Sequence, residues 1–309
     1  MSILRANFGK LVDQAMSQPG RASIRPVIEK ELLHYDILFA LDRRGLLRDL
    51  VFQGGTSLRL CHGSHRFSED LDFAGGPDFD FAHLEEMADA LESYLGDRYG
   101  LDVGVKAPKG RGGEQLSGSV LVEKWQVSVT TSPERRDLPR QRIKIEVANV
   151  PAHEVELKPL QRNYDFLPTG YEDLLIQVEP LHEVLADKLL AFPVTLATHV
   201  RHRDIWDMQW LIQQGAAIRP DLIGRKIIDY GVDNYAACLE EAIARLPEVV
   251  ESRGFADEMR RFLPQDRIEA TFERDGFLPY LSGNLQKTLR TVQKELDLGE
   301  APRTDSFEM

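Results

Sequence analysis

The chain has 309 residues, 42% of them hydrophobic and 28% charged, with a formal net charge of −12. That composition describes a folded chain with a sizeable core, and so large an acidic excess argues against a protein that coats nucleic acid with its whole surface. No apolar run approaches the roughly 20 residues of a membrane-spanning helix and no signal-peptide pattern opens the chain, so a cytoplasmic location without membrane contact is expected; two distant cysteines, Cys61 and Cys238, indicate neither a disulfide framework nor a zinc site.

Helical spacing comes first. Val27, Ile28, Leu32, Leu33, Leu38 and Leu41 recur at amphipathic intervals, with Gly45 as a stop, and residues 1–47 read as an accessory helical arm. Leu50-Val51-Phe52 then leads into Gly54-Gly55-Thr56-Ser57 and Leu58-Arg59-Leu60, a strand, a tight turn and a short helix whose backbone amides can cradle a phosphate. Arg66-Phe67-Ser68-Glu69-Asp70-Leu71-Asp72-Phe73 follows. Residues two apart in a strand share a face, so Asp70 and Asp72 present two carboxylates to one point. Magnesium bound to substrate phosphates takes one or two such ligands. A bare Asp-x-Asp also describes a polar turn; the glycine turn upstream, Arg66 and Ser68 between, and an acid downstream set this one apart. Phosphate contacts beside metal ligands are what phosphoryl transfer needs, and two metals can clamp the attacking and leaving oxygens.

Gly75-Gly76-Pro77 makes a break, and the stripe Leu84, Met87, Ala88, Leu91 and Leu95 predicts a helix ended by Gly96. Residues 101–105, 120–130 and 142–150 favour strands, giving a mixed sheet backed by helices in a core over 48–155. In the last strand Ile143, Ile145 and Val147 face one way and Lys144 and Glu146 the other. Glu146 is therefore the candidate third metal carboxylate or proton acceptor, with a plain cross-strand ion pair as the other possibility. Two basic clusters, Arg135, Arg136, Arg140, Arg142 and Lys144, and Lys106, Lys109 and Arg111, are either contacts for RNA phosphates or solvated loops.

Beyond Pro159, Pro168 and Gly170 the spacing is helical, including 281–298, so residues 156–309 read as a helical region with a polar tail from 299. One helix starts at Pro180 and carries Lys188 between Val184, Leu185 and Phe192, inside its apolar stripe. The ammonium either snorkels to the surface or, as we prefer, meets a nucleotide phosphate. The next helix, over 201–211, sets Asp204 and Asp207 on one face. There Asp204 can support Lys188, an arginine or a metal shell, unless Asp207 only pairs with Arg203 along the helix. His199 and His202 read as surface or hinge residues.

Gly54-Gly55-Thr56 with Arg66, Ser68, Asp70 and Asp72, then Lys144-Ile145-Glu146, Lys188 within Ala186-Asp187-Lys188-Leu189, and Arg203-Asp204 with Asp207 resemble the AbiEii/AbiGii toxin family. These are nucleotidyltransferase-like proteins related to the MenT-type toxins that modify transfer RNA, and the likeness covers residues 25–215. The resemblance implies an α+β fold with a polymerase-β-like core and a helical C-terminal region contributing to the NTP site. It also implies Mg²⁺ and a nucleoside triphosphate donor, with Asp70 and Asp72 on the metal, Ser68 and Lys188 at the triphosphate, and Asp204 or Asp207 as the acid of the fourth block. Joined to the residue reading, the expected catalytic acids are Asp70, Asp72, Glu146, Asp204 and Asp207, the first three of them on the metal. Gly54, Gly55, Thr56, Arg66, Ser68, Lys144 and Lys188 are expected at the NTP.

The implied reaction is nucleotide transfer to an RNA acceptor, the tRNA 3′ end above all, with release of pyrophosphate. The implied setting is a toxin–antitoxin or abortive-infection system with a separately encoded antitoxin partner. Transfer to a protein side chain, or NTP binding without transfer, are the alternatives. A sugar transferase fits the Gly54-Gly55-Thr56 turn poorly, and a dehalogenase-like phosphatase would need an apolar strand where Arg66-Phe67-Ser68-Glu69 stands.

Overall fold

The computed structural model describes residues 5–21, 24–108, 114–117, 120–135 and 137–296, for 114–117 the backbone alone. Lys109, Arg111, Arg136 and the expected tail from 299 lie outside the described residues. Helices α1 (Phe8–Met16) and α2 (Arg25–Arg43) precede β1 (Val51–Gln53), α3 (Gly54–Cys61), β2 (Leu71–Ala74) and α4 (Met87–Tyr99). Six strands follow: β3 (Val103–Lys106), β4 (Glu114–Ser117), β5 (Val120–Val129), β6 (Gln141–Ala148), β7 (Glu156–Pro159) and β8 (Leu175–Val178). The remainder is helical, comprising α5 (Leu181–Thr195), α6 (His202–Gln213), α7 (Pro220–Asp229), α8 (Tyr235–Glu251), α9 (Arg253–Phe262), α10 (Gln265–Ala270) and α11 (Phe277–Glu295).

The strands form one mixed sheet in the order β3-β5-β6-β2-β1-β8-β7, with β4 also paired to β5. The pairs β2–β6 and β1–β8 are parallel and the others antiparallel. Phe52, Phe73, Trp125, Val127, Ile143, Ile145 and Val147 face a core that also takes in Phe8 and Val12 of α1 and Ile28 and Leu38 of α2. The expected N-terminal arm is thus packed onto the sheet. The sheet also runs past the boundary expected at 155, because β8 adds to β1 with Phe52 opposite Val178. Four-residue strands flanked by prolines are too short to show an alternating pattern. Helix α4 likewise continues through Gly96 to Gly100, whose φ of +63° suits glycine as a C-terminal stop. An interior glycine costs a helix only about 1 kcal/mol, and buried Leu91 and Leu95 outweigh that.

Helices α5 to α11 enclose a second core around Leu185, Leu189, Met208, Leu239, Phe255 and Leu285. Each core borrows from the other region: Leu58 of α3 packs among the C-terminal helices, and Phe262 of α9 packs under the sheet. Polar ties reinforce the joint. Glu183 on α5 accepts the amides of His153 and Glu154 at 2.7 and 2.6 Å. Lys226 on α7 reaches Asp187, Glu183 and Glu179 at 2.7, 3.1 and 3.2 Å. Among the described residues no helix is long and apolar enough to cross a membrane.

Candidate active site

The site begins with register. Asp72 on β2 lies opposite Glu146 on the parallel neighbour β6 and opposite Gln53 on β1, so the carboxylates of Asp72 and Glu146 stand side by side on one sheet face. Asp70 sits one residue before the strand, where its Oδ1 accepts the backbone N–H of Lys144 at 3.1 Å. Thr56 is buried and donates its hydroxyl to the Asp70 carbonyl, so it positions the acid-bearing strand from below.

The glycine turn is shaped by what packs against it. Gly54 has φ +76°, and a Cβ there would meet Asp72 Oδ2 at 2.7 Å; a Cβ on Gly55 would meet Arg66 Nη2 at 2.3 Å and Ser68 Oγ at 3.0 Å. Glycine lets helix α3 start directly against the acids.

The helical half contributes paired charges of both signs, Lys188 and Arg201 with Asp187 and Asp204 at the cavity and Asp207 behind it. Lys188 on α5 is buried, with its Nζ 2.8 Å from Asp204 Oδ1 and 2.9 Å from Asp207 Oδ2. Burial opposes its charge, but the two carboxylates outweigh burial and hold the lysine above its ordinary pKa. Asp207 is in turn gripped by Arg66, whose Nε and Nη2 each donate to one of its oxygens at 2.6 Å. Asp204 pairs with Arg201 at the start of α6. Burial would raise both carboxyls, yet the cations around them hold both below the usual carboxylate range.

Between the two halves lies a cavity of about 500 Å³. Gln53, Gly54, Asp72 and Glu146 line one wall, Lys188, Arg201 and Asp204 another, and Val122, Ala148, Val194 and Tyr230 an apolar end. Burial, then the charges of Glu146 and Asp70, push the Asp72 carboxyl up to about 7. A site that raises a carboxyl so far favours a proton or a cation beside it, and an all-oxygen donor set suits Mg²⁺. Among the described residues no three His, Cys, Asp or Glu side chains form a group able to hold a metal alone. The three acids expected on the metal, Asp70, Asp72 and Glu146, therefore do not stand as such a group.

Of the expected residues, the structure brings Gly54, Asp72, Glu146, Lys188 and Asp204 around the cavity. Asp70 adjoins them. Arg66 and Asp207 are instead buried in each other's grip behind the wall. Thr56, Gly55 and Ser68 form the packing under the turn, and the Lys144 side chain is exposed on the sheet. Arg203 meets Glu69 and Glu258, both at 3.6 Å, rather than Asp207. His199 is exposed and His202 packs against Phe255. Sequence reading passed over Arg201 and Tyr230; for Arg201 the signal was its place three residues before Asp204, at a helix start.

A family model described as the nucleotidyl transferase AbiEii toxin of a type IV toxin–antitoxin system matches residues 36–279. No curated protein sequence matches the chain. Among solved structures, MenT4, a nucleotidyltransferase toxin from Mycobacterium tuberculosis, shares the fold with a TM-score of 0.54 at 19% identity, over 94% of this chain and 99% of its own. An H. pylori protein described as a nucleotidyltransferase gives 0.50 at 19% identity, over 89% and 98%. With a family match over most of its length and the same α+β fold in both structures, the chain belongs to the AbiEii family of nucleotidyltransferase toxins.

Proposed function

We propose that this toxin transfers a nucleotide from a nucleoside triphosphate, with Mg²⁺, to the 3′ hydroxyl of an RNA in the cytoplasm, the end of a tRNA above all. The observation that carries the reading is the facing of Asp72 and Glu146 by Lys188 and Arg201 across one cavity. Asp72 and Glu146, with Asp70 beside them, would hold the metal. When bound, Mg²⁺ supplies charge neutralisation for the phosphates and lowers the pKa of the attacking hydroxyl.

Lys188 and Arg201 draw the triphosphate to their wall, and Gly54 allows it to approach the acids without a side chain between. The acceptor oxygen forms a bond to the α-phosphorus as the bond to the bridging oxygen breaks. Pyrophosphate leaves with that electron pair, and the hydroxyl proton passes to a carboxylate of the Asp72–Glu146 pair. Asp204 and Asp207 act by holding Lys188, Arg201 and Arg66 in place. The toxin–antitoxin setting in the family's description supports a separately encoded antitoxin.

The test is incubation of the purified protein and Mg²⁺ with each α-labelled NTP, with and without total tRNA, beside Asp72→Ala. We expect label on RNA from the wild type alone. Label on protein only would move the acceptor to a side chain, and transfer by a folded Asp72→Ala protein would sink the mechanism.

A further inference from the structure

The sheet face that carries Asp72 and Glu146 changes character along its strands. On β6 the residues of this face are Ala148, Glu146, Lys144 and Arg142: buried, half-buried, exposed and exposed. The neighbouring β5 presents Val122, Lys124, Gln126 and Ser128 in register with them. At the apolar end Ala74, Val120, Val122, Ala148 and Val150 form a small buried cluster with Tyr230 packed against it. At the opposite end, among the described residues, the side chains of Arg142 and Lys144 are exposed. Lys106 of edge strand β3, opposite Gln126, extends the same face.

The other basic residues nearby are committed elsewhere: Lys124 to Glu146 at 3.9 Å, Arg135 to Asp137 at 2.7 Å, and Arg140 to Asp102. Among the described residues Arg142, Lys144 and Lys106 have no ion-pair partner. In a protein of net charge −12 this is a local cationic strip, and it starts at the catalytic acids. Residues two apart on a strand are about 6.7 Å from each other, so Arg142 lies about 13 Å from Glu146, a reach of the last few nucleotides of a strand.

Resting on the reading that the acceptor is RNA, we propose that the sugar–phosphate backbone leading to the reacting 3′ end docks along this open sheet face. Lys144, Arg142 and Lys106 contact its phosphates while Gln126 and Ser128 offer hydrogen bonds to sugars. The NTP and the acceptor then approach Asp72 and Glu146 from opposite ends of one face, the NTP from the covered apolar end and the acceptor from the open cationic end. That placement keeps the two substrates from competing for the same cations. It also gives an acidic protein an RNA path without a basic surface overall.

The test is binding of dye-labelled, deacylated tRNA without NTP, followed by anisotropy over a series of salt concentrations, for the wild type and the double variant Lys106→Gln, Arg142→Gln. Neither residue lines the cavity. Each phosphate contact on a single strand contributes about 0.7 to the log–log salt slope, so the double variant should lose about 1.4 of slope and bind more weakly at low salt. Its affinity for an NTP with Mg²⁺ and its thermal midpoint should be unchanged, because both side chains are exposed. An unaltered slope in the variant, with the wild type still labelling RNA, would overturn the docking path and leave the reaction standing. Failure of the wild type to bind or label any RNA, with labelling of protein instead, would remove the RNA reading and this path together.

Discussion

Replacing Asp207 and Asp204 one at a time separates the frame of the site from its working wall. Asp207→Ala strips both oxygens from Arg66, whose side chain is 3% exposed, and leaves Lys188 with a single acid. Removing one partner of a buried ion pair costs about 3–5 kcal/mol, because the remaining charge stays desolvated without compensation. Asp204→Ala leaves Lys188 bound to Asp207 at 2.9 Å and releases Arg201, whose side chain is 45% exposed and regains water. That loss should be about 1–2 kcal/mol.

The assay is urea denaturation at pH 7 with equal slopes verified, so that midpoints report stability. Arg66→Met combined with Asp207→Ala should recover part of the Asp207→Ala loss, since it removes the orphaned charge. The pH dependence gives a second check. Asp207 is held below its ordinary pKa, with Arg66 and then Lys188 outweighing burial. Its contribution is therefore complete above the unfolded carboxyl value near 3.8 and is lost as pH falls through the folded one. Asp207→Asn should flatten that acid limb. Equal losses for Asp204→Ala and Asp207→Ala, or no recovery in the double variant, would refute the assignment of Asp207 to the frame.

Gly54→Ala should abolish transfer by driving Asp72 aside, since the new methyl lies 2.7 Å from Asp72 Oδ2 at φ +76°; labelling of RNA at wild-type rate would show that the turn can yield. Asp72→Asn should be inactive yet more stable than the wild type above neutral pH in a chelator. The folded carboxyl holds its proton to about pH 7 against 3.8 unfolded, so wild-type stability falls as pH rises through that window, by about 4 kcal/mol at most and less with water in the cavity. A pH-independent difference between the two proteins would contradict this. Lys188→Ala should weaken NTP binding, which calorimetry with a non-hydrolysable NTP measures; unchanged affinity would confine Lys188 to the frame.

The long strands were legible because ten-residue β5 and eight-residue β6 alternate buried and open side chains, which is the pattern a sequence displays directly. The same alternation placed Glu146 opposite Ile145 and Val147, and the Asp-x-Asp spacing placed Asp72. Lys188 stood out as a charge in an apolar stripe, and Asp204 was legible as a support for it from the shared face of the next helix, whereas the second contact, to Asp207, was not. Arg66 and Asp207 are 141 positions apart, and no local rule announces that a motif arginine will turn inward to a distant helix. Thr56 was expected at the NTP with the glycine turn, whereas in the fold its side chain is buried and donates to the Asp70 carbonyl, a contact 14 positions away that no local rule announces. Helix α1 and strand β8 are short elements stabilised by the core they join rather than by their own pattern, and β7 is held by its pairing with β8.

The distribution of charge between the two halves argues for how the site works. The sheet supplies Asp70, Asp72 and Glu146, and the helices supply Lys188 and Arg201 together with Asp187 and Asp204. A lysine held above its ordinary pKa stays charged through the physiological range and cannot relay a proton there. In the proposed reaction the proton goes to a sheet carboxylate and the phosphates to the helical wall, and the cavity between the walls is complete only while both cores stay docked. The Arg66–Asp207–Lys188 chain runs across that joint, with Arg66 entering from the sheet side and Lys188 from the helical side. Its buried ion pairs tie the sheet wall to the helical wall.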